Sequence, residues 1–205
     1  MSGLWDRPVQ RTTRLAVGLV LFGLSLALLV RAGLGLDPWD VFNQGVAKRT
    51  GLSLGQVTIL SSVLVLACWA PLRQRPGVGT VGNAMVVGPV LDLGLRLVPS
   101  PQPLAVRVAF LIVAIVGVAV ATGLYVGAGW GPGPRDGLMT GLAARGLPIF
   151  AARAAIEVSV LLAGWGLGGQ VGVGTVLFAL VIGPLVTRCL PPLRIASRDE
   201  RRVVA

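Results

Sequence analysis

The sequence contains one segment twice, and each copy lies between long apolar stretches. Gly33 to Arg49 reads GLGLDPWDVFNQGVAKR, and Gly129 to Arg145 reads GWGPGPRDGLMTGLAAR. At a separation of 96 residues the copies share three glycines, one proline, one aspartate, one alanine and one arginine. A second pair of segments, Gly77 to Pro89 and Gly172 to Pro184, agrees at nine of thirteen positions at a separation of 95 residues. The chain is therefore built from a duplicated unit.

The apolar stretches around these segments have the length and composition of membrane spans. Hydrophobic residues make up 54% of the chain and charged residues 13%, with a mean hydropathy of +0.82, which is typical of an integral membrane protein. A helix of about 20 residues is about 30 Å long, the thickness of the hydrocarbon core. We predict six spans, at residues 15–30, 54–72, 78–97, 104–126, 149–167 and 173–190.

The two copied segments predict short helices that do not cross the membrane. In the first copy Asp37 suits the N-cap, Pro38 the first helical position and Asp40 the first turn, where the helix dipole favours an anion. The second copy has Gly133, Pro134 and Asp136 at the same positions. About twelve residues reach only about 18 Å. Each short helix is therefore predicted to lie in the interface or to enter the membrane and return.

The number of spans in each unit determines the expected architecture. A unit with three spans is odd, so the second copy must enter the membrane from the opposite face. The sequence thus predicts an all-α multi-pass membrane protein with six transmembrane helices as a 3+3 inverted repeat, each half with an extra short re-entrant or interfacial helix. Residues 1–205 form a single membrane domain, with repeat 1 at 11–98 and repeat 2 at 107–190.

The basic residues indicate orientation in the membrane. The chain has 18 Lys+Arg against 8 Asp+Glu, but they lie mainly at the ends of apolar stretches, which argues against nucleic-acid binding. With the N-terminus in the cytoplasm, thirteen basic residues fall inside and five outside. The outside set is Arg31, Lys48, Arg49, Arg96 and Arg107. This bias predicts a multi-pass protein of the bacterial inner membrane with both termini cytoplasmic.

The residue types argue against an enzyme. There is no His, and Cys68 and Cys189 lie in separate apolar stretches without a neighbouring metal-ligand cluster. No nucleophile-base pair, cofactor motif or metal-ligand set is found. We therefore expect no catalytic residues, no cofactor and no metal site.

The acids of the two short helices are the first candidates for a transport pathway. Asp40 and Asp136 either stabilise the starts of their helices or lie at the entrances of a pathway between the halves. Arg135 replaces Trp39 in the second copy, so the two entrances differ chemically. Acids at both entrances favour a cation, a proton or a polar zwitterion over a simple anion.

Further candidates lie on the predicted spans. Glu157 and Arg153 are four residues apart, hence on one helix face, and form either a structural ion pair or a charged element of the pathway. A carboxylate in hydrocarbon costs several kcal/mol, so Glu157 is expected to pair with Arg153 or to face a polar interior. Asn83 is a candidate for lining a cavity. Asp92 is either another pathway residue or an interfacial acid beside Arg96.

Four tryptophans lie near the predicted ends of spans: Trp39, Trp69, Trp130 and Trp165. Tryptophan is enriched where the membrane meets water. We expect these rings to be interface anchors that need no contact with a ligand.

The run GLGLDPWDVFNQGVAKRTGLSLGQ, the GVGT and GP blocks and the run GPGPRDGLMTGL resemble the YczE/YyaS/YitT-type bacterial integral membrane proteins. The resemblance covers the chain from about Arg11 to Leu190. It implies a multi-pass protein of the bacterial inner membrane.

Together these features predict a small secondary transporter or permease for a small solute or ion. A substrate-binding membrane subunit that works with a separate ATPase is one alternative. A membrane scaffold or regulator that transports nothing is another. The expected partners are the lipid bilayer and a small solute or ion, and the sequence is also compatible with a homo-oligomer or an ATPase partner.

Overall fold

The computed structural model describes residues 7–195, which fold into nine α-helices joined by short connections. Three of the thirteen basic residues predicted to be cytoplasmic, Arg198, Arg201 and Arg202, lie outside the described residues. The helices are α1 (Pro8–Ala32), α2 (Pro38–Thr50), α3 (Leu54–Ala67), α4 (Trp69–Leu72), α5 (Val78–Leu97), α6 (Leu104–Gly127), α7 (Pro134–Ala143), α8 (Ile149–Gly166) and α9 (Val173–Leu193).

Within residues 7–195, six helical segments are long and apolar enough to cross a membrane, which confirms the predicted number of spans. They are α1, α3 with α4, α5, α6, α8 and α9. The span at 54–72 was predicted as one helix, but it is interrupted at Cys68. Pro71 explains the interruption, because a proline ring clashes with the carbonyl four residues earlier, here that of Ala67.

Helices α1 and α6 pack together along their length and form the centre of the molecule. Near the start of α1, Arg11 donates from Nη1 to the carbonyl of Ala128 at 2.6 Å, just beyond the end of α6. Near the start of α6, Arg107 donates from Nε to the carbonyl of Ala32 at 2.8 Å, at the end of α1. The two helices are therefore antiparallel.

The loops that follow α1 and α6 each support the start of another helix. The amide of Gly174 in α9 donates to the carbonyl of Leu34 at 2.8 Å, and the amide of Gly79 in α5 donates to that of Trp130, also at 2.8 Å. A Cβ on either glycine would lie about 3 Å from these loop carbonyls. Both bonds join equivalent positions of the duplicated unit, so each loop after a central helix positions a span of the other unit.

The short helices pack on the outer spans. Helix α2 lies along α8, with Gly164 of α8 against the backbone of Phe42, where a side chain on the glycine would not fit. Lys48 donates from Nζ to the carbonyl of Gly168 at 2.7 Å, and Gly51 ends the helix with a φ of 73°. Helix α7 packs on α3, α4 and α8.

The outer spans pack differently in the two halves. In the first half, Gly88 of α5 lies so close to the carbonyl of Gly55 in α3 that no Cβ could be accommodated. The equivalent glycine of α9, Gly183, has open space around the position of a Cβ. Phe150, equivalent to Gly55, is 81% exposed. Helices α3 and α5 are thus tightly joined at this level, whereas α8 and α9 leave space between them.

Candidate functional site

The short helices α2 and α7 begin at the centre of the molecule, where their first residues face one another. Asp37 is the N-cap of α2, and its Oδ1 accepts from the amide of Asp40 at 2.6 Å, which confirms the predicted cap. Gly133 occupies the equivalent position before α7 without a side-chain cap. Its Cα lies against the hydroxyl of Tyr125, which a Cβ would approach to 2.8 Å. Two helix N-termini, each with a positive partial charge, therefore converge on one region.

Arg135 of α7 joins the two acids at the start of α2. Its Nη1 lies 3.4 Å from Oδ2 of Asp37, and its Nη2 lies 3.5 Å from Oδ1 of Asp40. The guanidinium also lies over the indole of Trp39, 5.1 Å from the ring centroid. One partly buried cation thus contacts two buried acids from the other half of the chain.

Behind this ion pair a polar network continues into α3. Nδ2 of Asn43 lies 3.3 Å from Oδ1 of Asp40 and 3.3 Å from the hydroxyl of Thr58. Asp40 and Asn43 are fully buried. Oδ2 of Asp40 and Oδ1 of Asn43 are both buried and have no hydrogen-bond partner. Two neighbouring side chains therefore each keep an acceptor without a donor, an arrangement that is costly in a protein interior.

Asp37 lies between α1 and α2, outside the six candidate spans. Burial and then the neighbouring charge of Asp40 raise the pKa of Asp37 from 3.8 to about 8, although Arg135 acts in the opposite direction. Burial thus favours the neutral form of the Asp37 carboxyl, whereas Arg135 favours its ionised form.

The acid of the second short helix has a different partner. Oδ2 of Asp136 accepts from the hydroxyl of Tyr125 in α6 at 2.9 Å. Trp69 of α4 donates from Nε1 to the carbonyl of Pro134 at 3.0 Å, and its ring covers Gly137, where no side chain would fit. The start of α7 is thus fixed by two aromatic side chains.

Arg153 and Glu157 of α8 form an ion pair across one helical turn, with Nε 2.9 Å from Oε1. Their side chains are 44% and 23% exposed. The pair is too accessible to stabilise the fold by more than about 0.5 kcal/mol, so its charges remain available to a ligand.

These groups surround a cavity of about 120 Å³ between the two halves. Most of its lining residues occur as equivalent positions of the duplicated unit. The pairs are Phe22/Val118, Leu26/Thr122, Asp37/Gly133, Pro38/Pro134, Trp39/Arg135, Thr58/Arg153, Ser62/Glu157, Asn83/Phe178 and Val87/Ile182. The remaining lining residues are Tyr125, Asp136, Met139 and Val186. The cavity therefore lies where the two copies of the unit face each other.

The predicted candidates are distributed as follows. Asn83, Arg135, Asp136, Arg153 and Glu157 line the cavity, and Asp40 is buried directly behind Arg135.

Asp92 lies elsewhere. Its carboxylate accepts from the amide of Gly55 at 2.8 Å and from the hydroxyl of Ser53, so it holds the start of α3 beside a groove that Arg96 also lines. Its contacts are those of a structural residue.

Among residues 7–195 no group of three or more His, Cys, Asp or Glu side chains is placed to hold a metal ion.

Several cavity residues were not predicted. The sequence predicts Asp37 only as a cap, and Tyr125 lies among apolar residues that carry no signal of a polar site. The expectation that Trp39 and Trp69 are interface anchors was wrong, because both are buried at the starts of the short helices. A signal was present for Trp39, because its equivalent in the second copy is the charged Arg135.

Comparison with known proteins places these features in a wider group. Residues 9–191 match the model of a family of unknown function, DUF6198. An "Uncharacterized protein" of Haemophilus influenzae is 38% identical over 186 residues, which cover 90% of this chain and 85% of the length of that protein. The Bacillus subtilis protein "Uncharacterized membrane protein YczE" is 32% identical, over 89% of this chain and 86% of its own length. The Bacillus subtilis protein "Uncharacterized protein YyaS" is 28% identical, over 85% of this chain and 90% of its own length. No solved structure matches the chain.

Proposed function

Because the chain belongs to the family of unknown function DUF6198, and a relative is named as a membrane protein, we propose that it is a small secondary transporter or permease of the bacterial inner membrane. Its substrate is a small cationic or zwitterionic solute that binds in the central cavity. The observation that carries the proposal is the charged cavity at the facing starts of two short helices.

An inverted repeat is the architecture we propose for this transporter. It is supported by the antiparallel packing of α1 and α6, the reciprocal arginine contacts at their ends, and the pairwise lining of the cavity. In such folds discontinuous helices begin near the middle of the membrane, beside the substrate. Helices α2 and α7 are accordingly proposed to be re-entrant, and the bias of basic residues favours cytoplasmic termini.

The charges around the cavity favour the substrate class. Three acidic side chains, those of Asp37, Asp136 and Glu157, and two guanidinium groups line it. Arg135 contacts Asp37 and Arg153 contacts Glu157, so Asp136 is the lining acid that we expect to attract a cationic group. The arginines and helix N-termini provide for an accompanying carboxylate. An apolar cavity of about 150 Å³ holds a benzene molecule, so about 120 Å³ suits a solute of about six non-hydrogen atoms or fewer.

The unequal packing of the outer spans supports alternating access. Helices α3 and α5 are in close contact through Gly55 and Gly88, whereas the equivalent Gly183 of α9 faces open space. If the halves exchange these arrangements, closing α8 on α9 and separating α3 from α5 opens the cavity to the other side. Gly183 leaves room for α8 to approach α9, although Phe150 rather than a glycine stands at the position equivalent to Gly55.

Flux into liposomes tests the proposal. The purified full chain is reconstituted and screened with small amines, amino acids and alkali cations for electrogenic or tracer flux. We expect saturable uptake that Asp136→Asn and Glu157→Gln reduce by about tenfold or more, while the exposed control Arg96→Gln retains it. Uptake that the cavity variants leave unchanged would place the pathway elsewhere. Absence of uptake combined with copurification of an ATPase would favour a substrate-binding subunit.

A further inference from the structure

Charge balance at the start of α2 is incomplete. Asp37 and Asp40 are both buried and both lie within about 3.5 Å of one guanidinium, that of Arg135. If both acids were ionised, one negative charge would remain uncompensated in the protein interior, which is strongly unfavourable. Closely placed carboxyl groups in such surroundings commonly share a proton.

The polar network shows where that proton is stabilised. Asn43 already contacts one oxygen of the Asp40 carboxyl through Nδ2. Within these two side chains, the atoms without a partner are the other Asp40 oxygen and the Asn43 oxygen. Both are acceptors, so neither can satisfy the other while Asp40 is ionised. A proton on Asp40 turns that carboxyl into a donor, which is the type of partner that the amide oxygen of Asn43 lacks. The Asn43 amide and the Asp40 carboxylic acid can then form two hydrogen bonds with each other.

The geometry points to one exchangeable proton that Asp37 and Asp40 share, with Arg135 neutralising whichever acid is ionised. When the proton is on Asp40, Asp40 bonds to Asn43 and Arg135 pairs with Asp37. When the proton leaves to solvent through the cavity, both carboxylates are charged and compete for Arg135. Because Arg135 belongs to α7 and the acids lie at the start of α2, proton binding changes the attraction between the two short helices.

The surrounding charges are consistent with this site. Asp136 faces the cavity from α7 but is engaged by Tyr125 of α6, and Glu157 from α8 is paired with Arg153. The nearby helix α3 contributes the neutral Thr58. The raised pKa of Asp37 agrees with a proton that is retained through neutral pH.

The second half lacks this arrangement. Met139 and Arg153 stand at the positions equivalent to Asn43 and Thr58. Gly133 stands at the position equivalent to Asp37, so Asp136, equivalent to Asp40, lacks the counterparts of both Asn43 and Asp37. The proton site belongs to one half only, and Asp136 provides a matched control.

The inference deepens the proposed function, since a transporter with such a site would couple to protons, but its test measures binding alone. Infrared spectra of the purified full chain in lipid are recorded as a function of pH, following the C=O band of a protonated carboxylic acid. We expect wild type to show this band at neutral pH and to lose it as pH rises. Asp37→Asn or Asp40→Asn should each abolish the neutral-pH band, because a single acid facing Arg135 is ionised.

Two further variants complete the test. Asp136→Asn should retain the band with an unchanged midpoint, and Asn43→Leu should shift the midpoint to lower pH, because it removes a bond to the neutral acid. A band that survives in both Asp37→Asn and Asp40→Asn would overturn the inference, as would its absence from wild type at neutral pH. A transport assay that fails while the band behaves as expected would reject the proposed function and leave the proton site intact.

Discussion

Replacement of Arg135 by methionine is the most informative perturbation of the cavity. The guanidinium joins the starts of the two short helices, through Asp37 at 3.4 Å and Asp40 at 3.5 Å. Methionine has a similar length and suits an apolar neighbour such as Trp39. The substitution therefore removes the charge while leaving most of the packing.

The expected cost follows from burial of the acids that remain. Removal of one partner of a buried ion pair costs about 3–5 kcal/mol, because the other charge is left uncompensated. The Arg135 side chain is 19% exposed and both contacts are longer than an optimal bidentate pair, so we expect about 3 kcal/mol. The loss should shrink at acidic pH, where both acids can be protonated.

Thermal unfolding of the purified protein in detergent measures the effect. Arg135→Met should be destabilised, and the added substitution Asp40→Asn should restore part of the loss, because it replaces the fully buried acid by a neutral amide. Arg96→Met, at an exposed position outside the cavity, should stay within about 0.5 kcal/mol of wild type. Equal stability of Arg135→Met and wild type, or no recovery in the double variant, would refute the ion-pair reasoning.

Other predictions test separate features. Gly88→Ala should lower stability by about 1–3 kcal/mol because its Cβ meets the carbonyl of Gly55, whereas Gly183→Ala should be neutral or stabilising. Thermal unfolding of both variants measures the difference, and equal effects would contradict the unequal packing of the outer spans. Because the pKa of Asp37 rises from 3.8 to about 8 on folding, its contribution to stability is complete below about pH 4 and is lost as pH rises toward 8. The free energy of unfolding should therefore depend less on pH between about pH 5 and 9 in Asp37→Asn than in wild type. An unchanged slope of this free energy against pH would contradict the raised pKa of Asp37. Glu157→Gln should reduce flux but shift stability by at most about 0.5 kcal/mol, and a large loss of stability would indicate a structural pair.

The helices could be predicted from the sequence because their signals are local. Apolar runs and their glycine and proline boundaries specify α5 at residues 78–97, and the Asp37 and Pro38 pair specifies the start of α2. The interruption at Cys68 also had a local cause, because Pro71 is visible in the sequence. Such features require no knowledge of which spans are neighbours.

The cavity could be predicted only in part, because its contacts join distant residues. Arg135 lies 98 residues after Asp37, and its choice of partner depends on how α7 meets α2. Tyr125 sits among apolar residues of α6, and its bond to Asp136 becomes visible only when the loop after α6 turns back. The duplication nevertheless identified the two short helices, α2 and α7, whose N-terminal ends face each other at the cavity.

Divergence between the copies has a physical reason at this cavity. Equivalent positions of a duplicated unit face the same space, so identical charges retained in both copies would lie close together and repel. Three such positions carry charge only in the second copy: Trp39 corresponds to Arg135, Thr58 to Arg153 and Ser62 to Glu157. The aspartate shared by both copies is tolerated because Asp40 contacts Arg135, while Asp136 accepts from Tyr125. The asymmetry thus stabilises a charged centre that a perfect repeat could not maintain, and it confines the shared proton to the first half.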